Sequence, residues 1–256
     1  MLREHWIALR TLALKEFLRF IRIWVQTVLP PVVTTALYFI IFGALIGRRL
    51  GPVGGHPYMV WLVPGLVMLA VVTNAYANVV SSFFSAKFHR HIEELLVAPV
   101  PNALVLAGYV AGGVARGLVV GLAVLGTAAV FAELHFAHPG VALAVWLLTS
   151  VLFSLAGLIN GIYARTFDDI SIVPTFVLTP LTYLGGIFYS IDMLPPFWKT
   201  LSLGNPLLYI INSFRYGMLG VSDVSLGIGF GVIGAFILVL AAWALWLLGH
   251  SSALRH

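Results

Sequence analysis

Long stretches of this chain hold apolar residues with no Asp, Glu, Lys or Arg among them: residues 23–47, 50–86, 134–164, 170–191 and 224–254. Residues 95–115 form another such run, and after the single Arg116 the next extends to Ala132. A hydrocarbon core about 30 Å thick is crossed by about 20 apolar helical residues. The pattern therefore predicts six transmembrane helices: Trp24–Gly47, Met59–Phe84, Ala103–Phe131, Val141–Tyr163, Ile172–Phe188 and Leu226–Leu248. The expected fold is an all-α polytopic membrane protein, organised as a single membrane domain over residues 1–256.

Polar and proline positions mark smaller elements between these runs. Within residues 1–23, Lys15, Arg19 and Arg22 share a helical face, while Phe17, Phe20 and Ile21 lean the other way. This predicts an amphipathic interfacial helix in the inner headgroup layer; a solvated basic extension serving only topology is the other reading. In residues 85–97, Phe88, Ile92, Leu95 and Leu96 recur at i, i+4, i+7 and i+8, an apolar stripe on a short helix. Lys87, Arg90, Glu93 and Glu94 project elsewhere, His89 and His91 read as polar members of the same helix, and Pro99 and Pro101 end it. Such a helix suits docking into a groove on a partner protein, since an anionic leaflet repels adjacent glutamates. The fifth span is short and carries Pro174, Pro180, Gly185 and Gly186. Residues 190–217 are too apolar for a free loop and too interrupted to cross, which predicts a re-entrant external hairpin packed on the spans.

Charge changes the picture only by giving it a direction. Charged residues are 9% of the chain, against roughly 25% in soluble domains, which excludes an ordinary soluble enzyme and a nucleic-acid-binding domain. With an even number of spans both termini share a side. Placing them inside puts Arg3, Arg10, Lys15, Arg19, Arg22, Lys87, Arg90, Arg165 and Arg255 in the cytoplasm and Arg48, Arg49, Lys199 and Arg215 outside. Basic residues concentrate in cytoplasmic loops, so both ends are expected there. Residues 1–22 carry seven charges, which does not match a cleavable signal.

Chemistry is sparse. There is no G-x-x-x-x-G-K-[ST], G-x-S-x-G or H-E-x-x-H, and there is no cysteine. His135 and His138 read as loop residues rather than metal ligands, and Asp169 as the N-cap of the fifth span. No catalytic or metal residue is expected. The remaining clues are polar groups inside spans. Arg116 lies near the middle of the third, where a charge costs at least about 2.5–3.5 kcal/mol. It serves either as a structural hydrogen-bonding group or on a transport path, and Gly112, Gly113, Ala115, Gly117 and Gly121 around it would admit a close neighbouring helix. Asn74 and Asn78, at i and i+4, are either inter-helix glue or substrate contacts; Asn160 and Tyr183 are weaker candidates of the same kind. An ion-coupled carrier would need a carboxylate within the spans, and they contain none. A solitary channel stays open as an alternative.

One stretch carries a recognisable signature: Pro206-Leu207-Leu208-Tyr209, five residues, then Arg215, with Leu194-Pro195 upstream. With Asn74-Ala-Tyr-Ala-Asn78, Glu93-Glu-Leu-Leu-Val-Ala-Pro-Val-Pro101, Phe167-Asp-Asp-Ile-Ser171 and Pro174-Thr-Phe-Val-Leu-Thr-Pro180, it resembles the ABC-2 type permeases, membrane subunits of bacterial ABC exporters. The resemblance covers essentially the whole chain. It implies an inner-membrane homodimer with both termini cytoplasmic, docked to two copies of a P-loop ATPase subunit. By the family pattern Lys87, Phe88, Arg90, His91, Ile92, Glu93, Glu94, Leu95 and Leu96 form the coupling helix. Asn74, Asn78, Phe176, Thr179 and Tyr183 are then expected to line the substrate pathway. The cofactors, ATP and Mg, are expected on the partner and none in this chain. The expected cargo is a drug, lipid or glycan-type molecule.

Overall fold

The computed structural model describes residues 2–47, 51–92, 95 and 99–250. Helix α1 (Leu2–Arg22) passes through a break at Ile23 into α2 (Trp24–Tyr38), which continues in wider π-helical turns over Phe39–Ile46. Then come α3 (Tyr58–Phe88), α4 (Asn102–Phe131) and α5 (Pro139–Tyr163). A broken helix, α6, covers Asp169–Val173, Pro174–Leu178 and Thr179–Tyr183; α7 (Pro196–Leu203), α8 (Pro206–Leu219) and α9 (Leu226–His250) complete the described chain. Among the described residues, five helices are long and apolar enough to cross a membrane: Trp24–Gly43, α3, α4, α5 and α9.

The sequence pattern places a continuous fifth span at Ile172–Phe188, and the structure differs. Pro180 lacks an N–H and its ring would meet the carbonyl four residues back. The turn before it widens instead, so that the Thr179 N–H and hydroxyl both reach Pro174 O. The helix stops at Tyr183, and Gly186 turns the chain with φ 75°. Residues 167–188 nonetheless run the length of α3. Phe167 packs on Phe84 and Phe88 at one end, and Tyr58 donates to Phe188 O (2.8 Å) at the other.

Helix α3 is the central post. Almost every residue from Trp61 to Phe84 is buried; Thr73 is exposed, and Leu69, Ala77 and Ser81 are half-buried. The open stripe therefore repeats every four residues, one helical face, while α4, α5 and α8 cover the rest. Small residues set these approaches, as the glycines around Arg116 suggest. Gly113, Gly117 and Gly121 of α4 receive Ser154, Ser150 and Trp146 of α5, and Trp146 Nε1 donates to Gly117 O (3.3 Å). Gly108 and Gly112 receive Leu12 and Glu16 of α1. At the α3–α5 crossing, a Cβ on Gly157 would lie 2.5 Å from Tyr76 O.

A backbone carbonyl cannot turn aside, so Gly157→Val is expected to destabilise the protein by about 1–3 kcal/mol, the usual range for overpacking. Gly234→Ala, with nothing within 4 Å of the new atom, should leave stability unchanged or slightly raised. Thermal unfolding of the two variants in detergent checks the contrast; equal midpoints would contradict the packing described.

Candidate functional site

The open stripe of α3 forms the floor of two adjoining cavities. One, about 200 Å³, lies between α3 and α6 and is lined by Tyr38, Leu69, Tyr76, Thr179, Tyr183 and Phe188 among others. The second, about 380 Å³, lies between α2, α3 and α4 and takes in Gln26, Thr34, Thr73, Asn74 and Arg116. Tyr38, Leu69, Thr73 and Ala77 line both, so the two form one groove.

Of the residues expected along a pathway, Asn74, Thr179 and Tyr183 line this groove. Phe176 is 74% exposed on the outer side of α6. Asn78 is fully buried and held by Arg19, whose Nη2 donates to its Oδ1 (2.9 Å) and to its backbone carbonyl (2.7 Å). Tyr38 and Thr73 are lining residues that pattern reading missed. Thr73 carries a signal nevertheless, being a polar position next to Asn74 in an apolar run.

Each asparagine of the i, i+4 pair accepts from an arginine on a different helix. Arg116 of α4 reaches Asn74 Oδ1 through Nε (3.3 Å) and Nη2 (3.0 Å), while Asn74 Nδ2 donates to Ala70 O (3.0 Å). One turn on, Arg19 pairs with Glu16 (3.4 Å), and Ser82 donates to the same carboxylate (2.7 Å). Helix α1 is thus more than a surface float. Its Trp6, Ile7, Leu14 and Leu18 are exposed as an interfacial helix requires, yet Glu16 is 1% exposed and Phe20 lies in the interior. Arg19, expected on the headgroup face beside Lys15 and Arg22, turns inward because Glu16 and Asn78 need a donor there.

The signature residues assemble at the Tyr58 end of α3. Asn205 caps α8 by accepting the Leu207 N–H (2.9 Å) and donates to Leu181 O (2.6 Å); Pro206 fills the first helical position, where its missing N–H costs nothing. Tyr209 ties α8 back to Leu203 O (2.8 Å). Arg215 is 0% exposed, its guanidinium 4.0 Å from the Trp61 ring centroid and bonded to Gly186 O (2.7 Å) and Asn212 Oδ1 (3.2 Å). Counted among external charges, Arg215 is instead an internal clamp joining α3, α8 and the turn after α6.

At the other end, the helix expected over 85–97 is divided. Helix α3 continues through Phe88, and Arg90 (φ 63°) breaks it before His91 and Ile92 resume helix. Phe88, exposed, and Ile92, buried, therefore do not share one continuous stripe. Lys87 does not project freely: its Nζ donates to Ile162 O (2.6 Å) and Ala164 O (2.9 Å), capping the carbonyl end of α5. Leu95 is half-buried, and Glu93, Glu94 and Leu96 lie outside the described residues. The neighbouring turn is held by a capping box. The Thr166 hydroxyl accepts from the Asp169 N–H (3.3 Å), and the Asp169 carboxylate accepts from the N–H groups of Arg165 (2.7 Å) and Thr166 (3.0 Å). Asp169 is the first residue of α6 rather than its cap, and those two N–H bonds hold the Asp169 carboxyl below its ordinary range. Asn160 Nδ2 joins this turn to α5 through Ile170 O (3.3 Å). Among the described residues no group of three His, Asp or Glu side chains could hold a metal ion.

The family described as ABC-2 type transporter matches over residues 7–219. The chain is 59% identical over 248 residues, 96% of each chain, to the inner membrane transport permease YadH of Escherichia coli strain K12. It is also similar to nodulation protein J of Rhizobium leguminosarum biovar viciae, 24% identical over 204 residues and 79% of each chain. Nodulation protein J of Rhizobium meliloti strain 1021 is 23% identical over 236 residues, 92% of this chain and 89% of that one.

Removing one member of a buried pair leaves the other charge uncompensated. Arg19→Gln should therefore cost on the order of 2 kcal/mol, below the 3–5 kcal/mol of fully buried pairs because Arg19 is partly exposed. Adding Glu16→Gln should restore part of the loss, which thermal unfolding of the single and double variants measures. Additive losses would show that the pair does not act as a unit.

Proposed function

The chain belongs to the ABC-2 type transporter family, and on that premise we propose that it is the permease subunit of an ATP-driven exporter in the bacterial inner membrane. A separate P-loop ATPase subunit, two copies per complex, supplies ATP hydrolysis with Mg, and this chain catalyses no reaction itself. Two copies of the chain pair so that their α3 grooves face a shared path. The observation that carries the reading is the groove: one polar-dotted stripe left open along an otherwise buried central helix. Its flanks expose Leu37, Ile40 and Ile41 on α2 and Phe176 and Val177 on α6, apolar surface suited to lipid or a second copy.

In this reading the chain crosses six times, α6 with its following turn making the fifth crossing, and both termini are cytoplasmic. The span of residues 167–188 along α3 supports the crossing. Basic residues at the Lys87 end and in α1 support the orientation. Helices α7 and α8 form the re-entrant segment at the external end. Residues 85–97 couple to the ATPase, and their neighbours are suited to pass on a push: Lys87 holds the end of α5, and Phe88 rests on Phe167 of the second cytoplasmic loop. Arg116, Asn74, Thr179 and Tyr183 face the cargo.

Affinity purification of the tagged chain from its native membranes should recover a P-loop ATPase subunit. Its absence would favour an ATPase-independent channel or carrier. Thr73→Trp, which fills the groove, should cut export in the reconstituted complex at least about tenfold while the ATPase remains bound. Full export by this variant would remove the groove from the path.

A further inference from the structure

We infer that the cavity between α2, α3 and α4 is an anion site, which takes the charged head of an amphiphile whose apolar part lies along the adjoining cavity toward Phe188. The inference rests on the proposed transport role of the groove and names the class of cargo. Arg116 is central to it. Fourteen residues into the thirty of α4, it sits about 21 Å of helix from one end and about as far from the other. A cation at such depth is expensive and has to be answered by something.

The protein answers it only in part. A guanidinium has five N–H donors, and the recorded bonds of Arg116 converge on the single oxygen of Asn74. If bridging α3 and α4 were the whole purpose, a glutamine would do it without the cost of a buried charge. Among the described residues Glu16 is the one buried carboxylate, and it is committed to Arg19 and Ser82. Along this face of α3 there are thus two guanidiniums and one carboxylate, which Arg19 takes, leaving Arg116 as an excess of one positive charge. That charge opens into a cavity whose other polar lining groups, Gln26, Tyr38, Asn74 and four threonines, bring no negative charge.

A planar guanidinium suits a phosphate or carboxylate, which it can hold through two parallel bonds. The geometry of the groove supplies the rest of the ligand. From Arg116 and Thr73 it continues past Leu69 and Tyr38 to Leu178, Ile187 and Phe188, a polar head site joined to an apolar slot. An anionic amphiphile matches both halves. A neutral apolar molecule would leave the arginine unanswered, and a free small anion would leave the slot unused.

Calorimetric titration of the purified chain in a neutral maltoside detergent tests this with matched probes. Dodecyl phosphate is compared with dodecylphosphocholine, and didecanoyl phosphatidylglycerol with didecanoyl phosphatidylcholine, so that the apolar chains are matched within each pair and the headgroup is anionic in one member and zwitterionic in the other. The anionic member of at least one pair should bind about tenfold more tightly, a difference of about 1.4 kcal/mol. Preference within the dodecyl pair alone indicates a single-chain amphiphile; preference within the glycerolipid pair indicates a membrane lipid. Arg116→Gln and Asn74→Asp should each abolish it. Asn74→Asp gives Arg116 an internal ion partner, so its unfolding midpoint should not fall, which separates loss of binding from loss of fold. Equal binding within both pairs, or a preference that survives both substitutions, overturns the inference. The transporter reading fails by a different result, the absence of an ATPase subunit from the purified complex.

Discussion

A polar side chain inside a bilayer has no water to turn to, so its partners must come from the protein, and the placement of helices around α3 follows from that requirement. Asn74 and Asn78 sit one turn apart on the post. Arg116 from α4 answers the first and Arg19 from α1 the second. Neither bond forms unless the helices approach closely, and the small residues of α4 permit it: Gly108 and Gly112 admit α1 while Gly113, Gly117 and Gly121 admit α5. The hydrogen bonds set which helices neighbour α3, and the glycines set how near they come.

The same requirement acts at the two ends of the post. At the Tyr58 end the buried Arg215 joins Trp61, Gly186 and Asn212, and so closes the irregular chain after α6 against α8. At the other end Lys87 satisfies the terminal carbonyls of α5, and the Phe84, Phe88 and Phe167 cluster draws the two loops together. With both ends held, the side of α3 that no helix packs against closely is the stripe through Leu69, Thr73 and Ala77, which floors the groove beneath α2 and α6. A rigid post with one open face can expose a path without exposing its own backbone.

Much of this was legible in the residues. Apolar runs mark the long helices within a few positions, Pro174 and Pro180 mark the one that breaks, and Arg116 and Asn74 announce themselves as polar groups in apolar surroundings. What could not be read was direction. Lys15, Arg19 and Arg22 look equivalent on a helical wheel, yet Arg19 alone turns inward, because its partner lies 59 residues away on α3. Glu16 is buried beside Arg19 for the same reason, so a carboxylate does lie against the spans although none lies within them. The stripe through Phe88 and Ile92 assumed unbroken helix, and Arg90 in the left-handed region ends it. Arg215 looked like an external charge because hydropathy cannot see that Trp61 and a backbone carbonyl await it.

In the proposed transport role, one face of α3 lines a water-accessible path while its other faces are packed. The chain contains no cysteine, so single cysteines at Thr73 and at Val71 can be compared directly in the membrane-embedded complex, using a small water-soluble thiol reagent. Thr73→Cys should be modified readily and Val71→Cys, at 0% exposure, should resist until the protein is unfolded. Equal modification of the two, or protection of both throughout the transport cycle, would contradict the account.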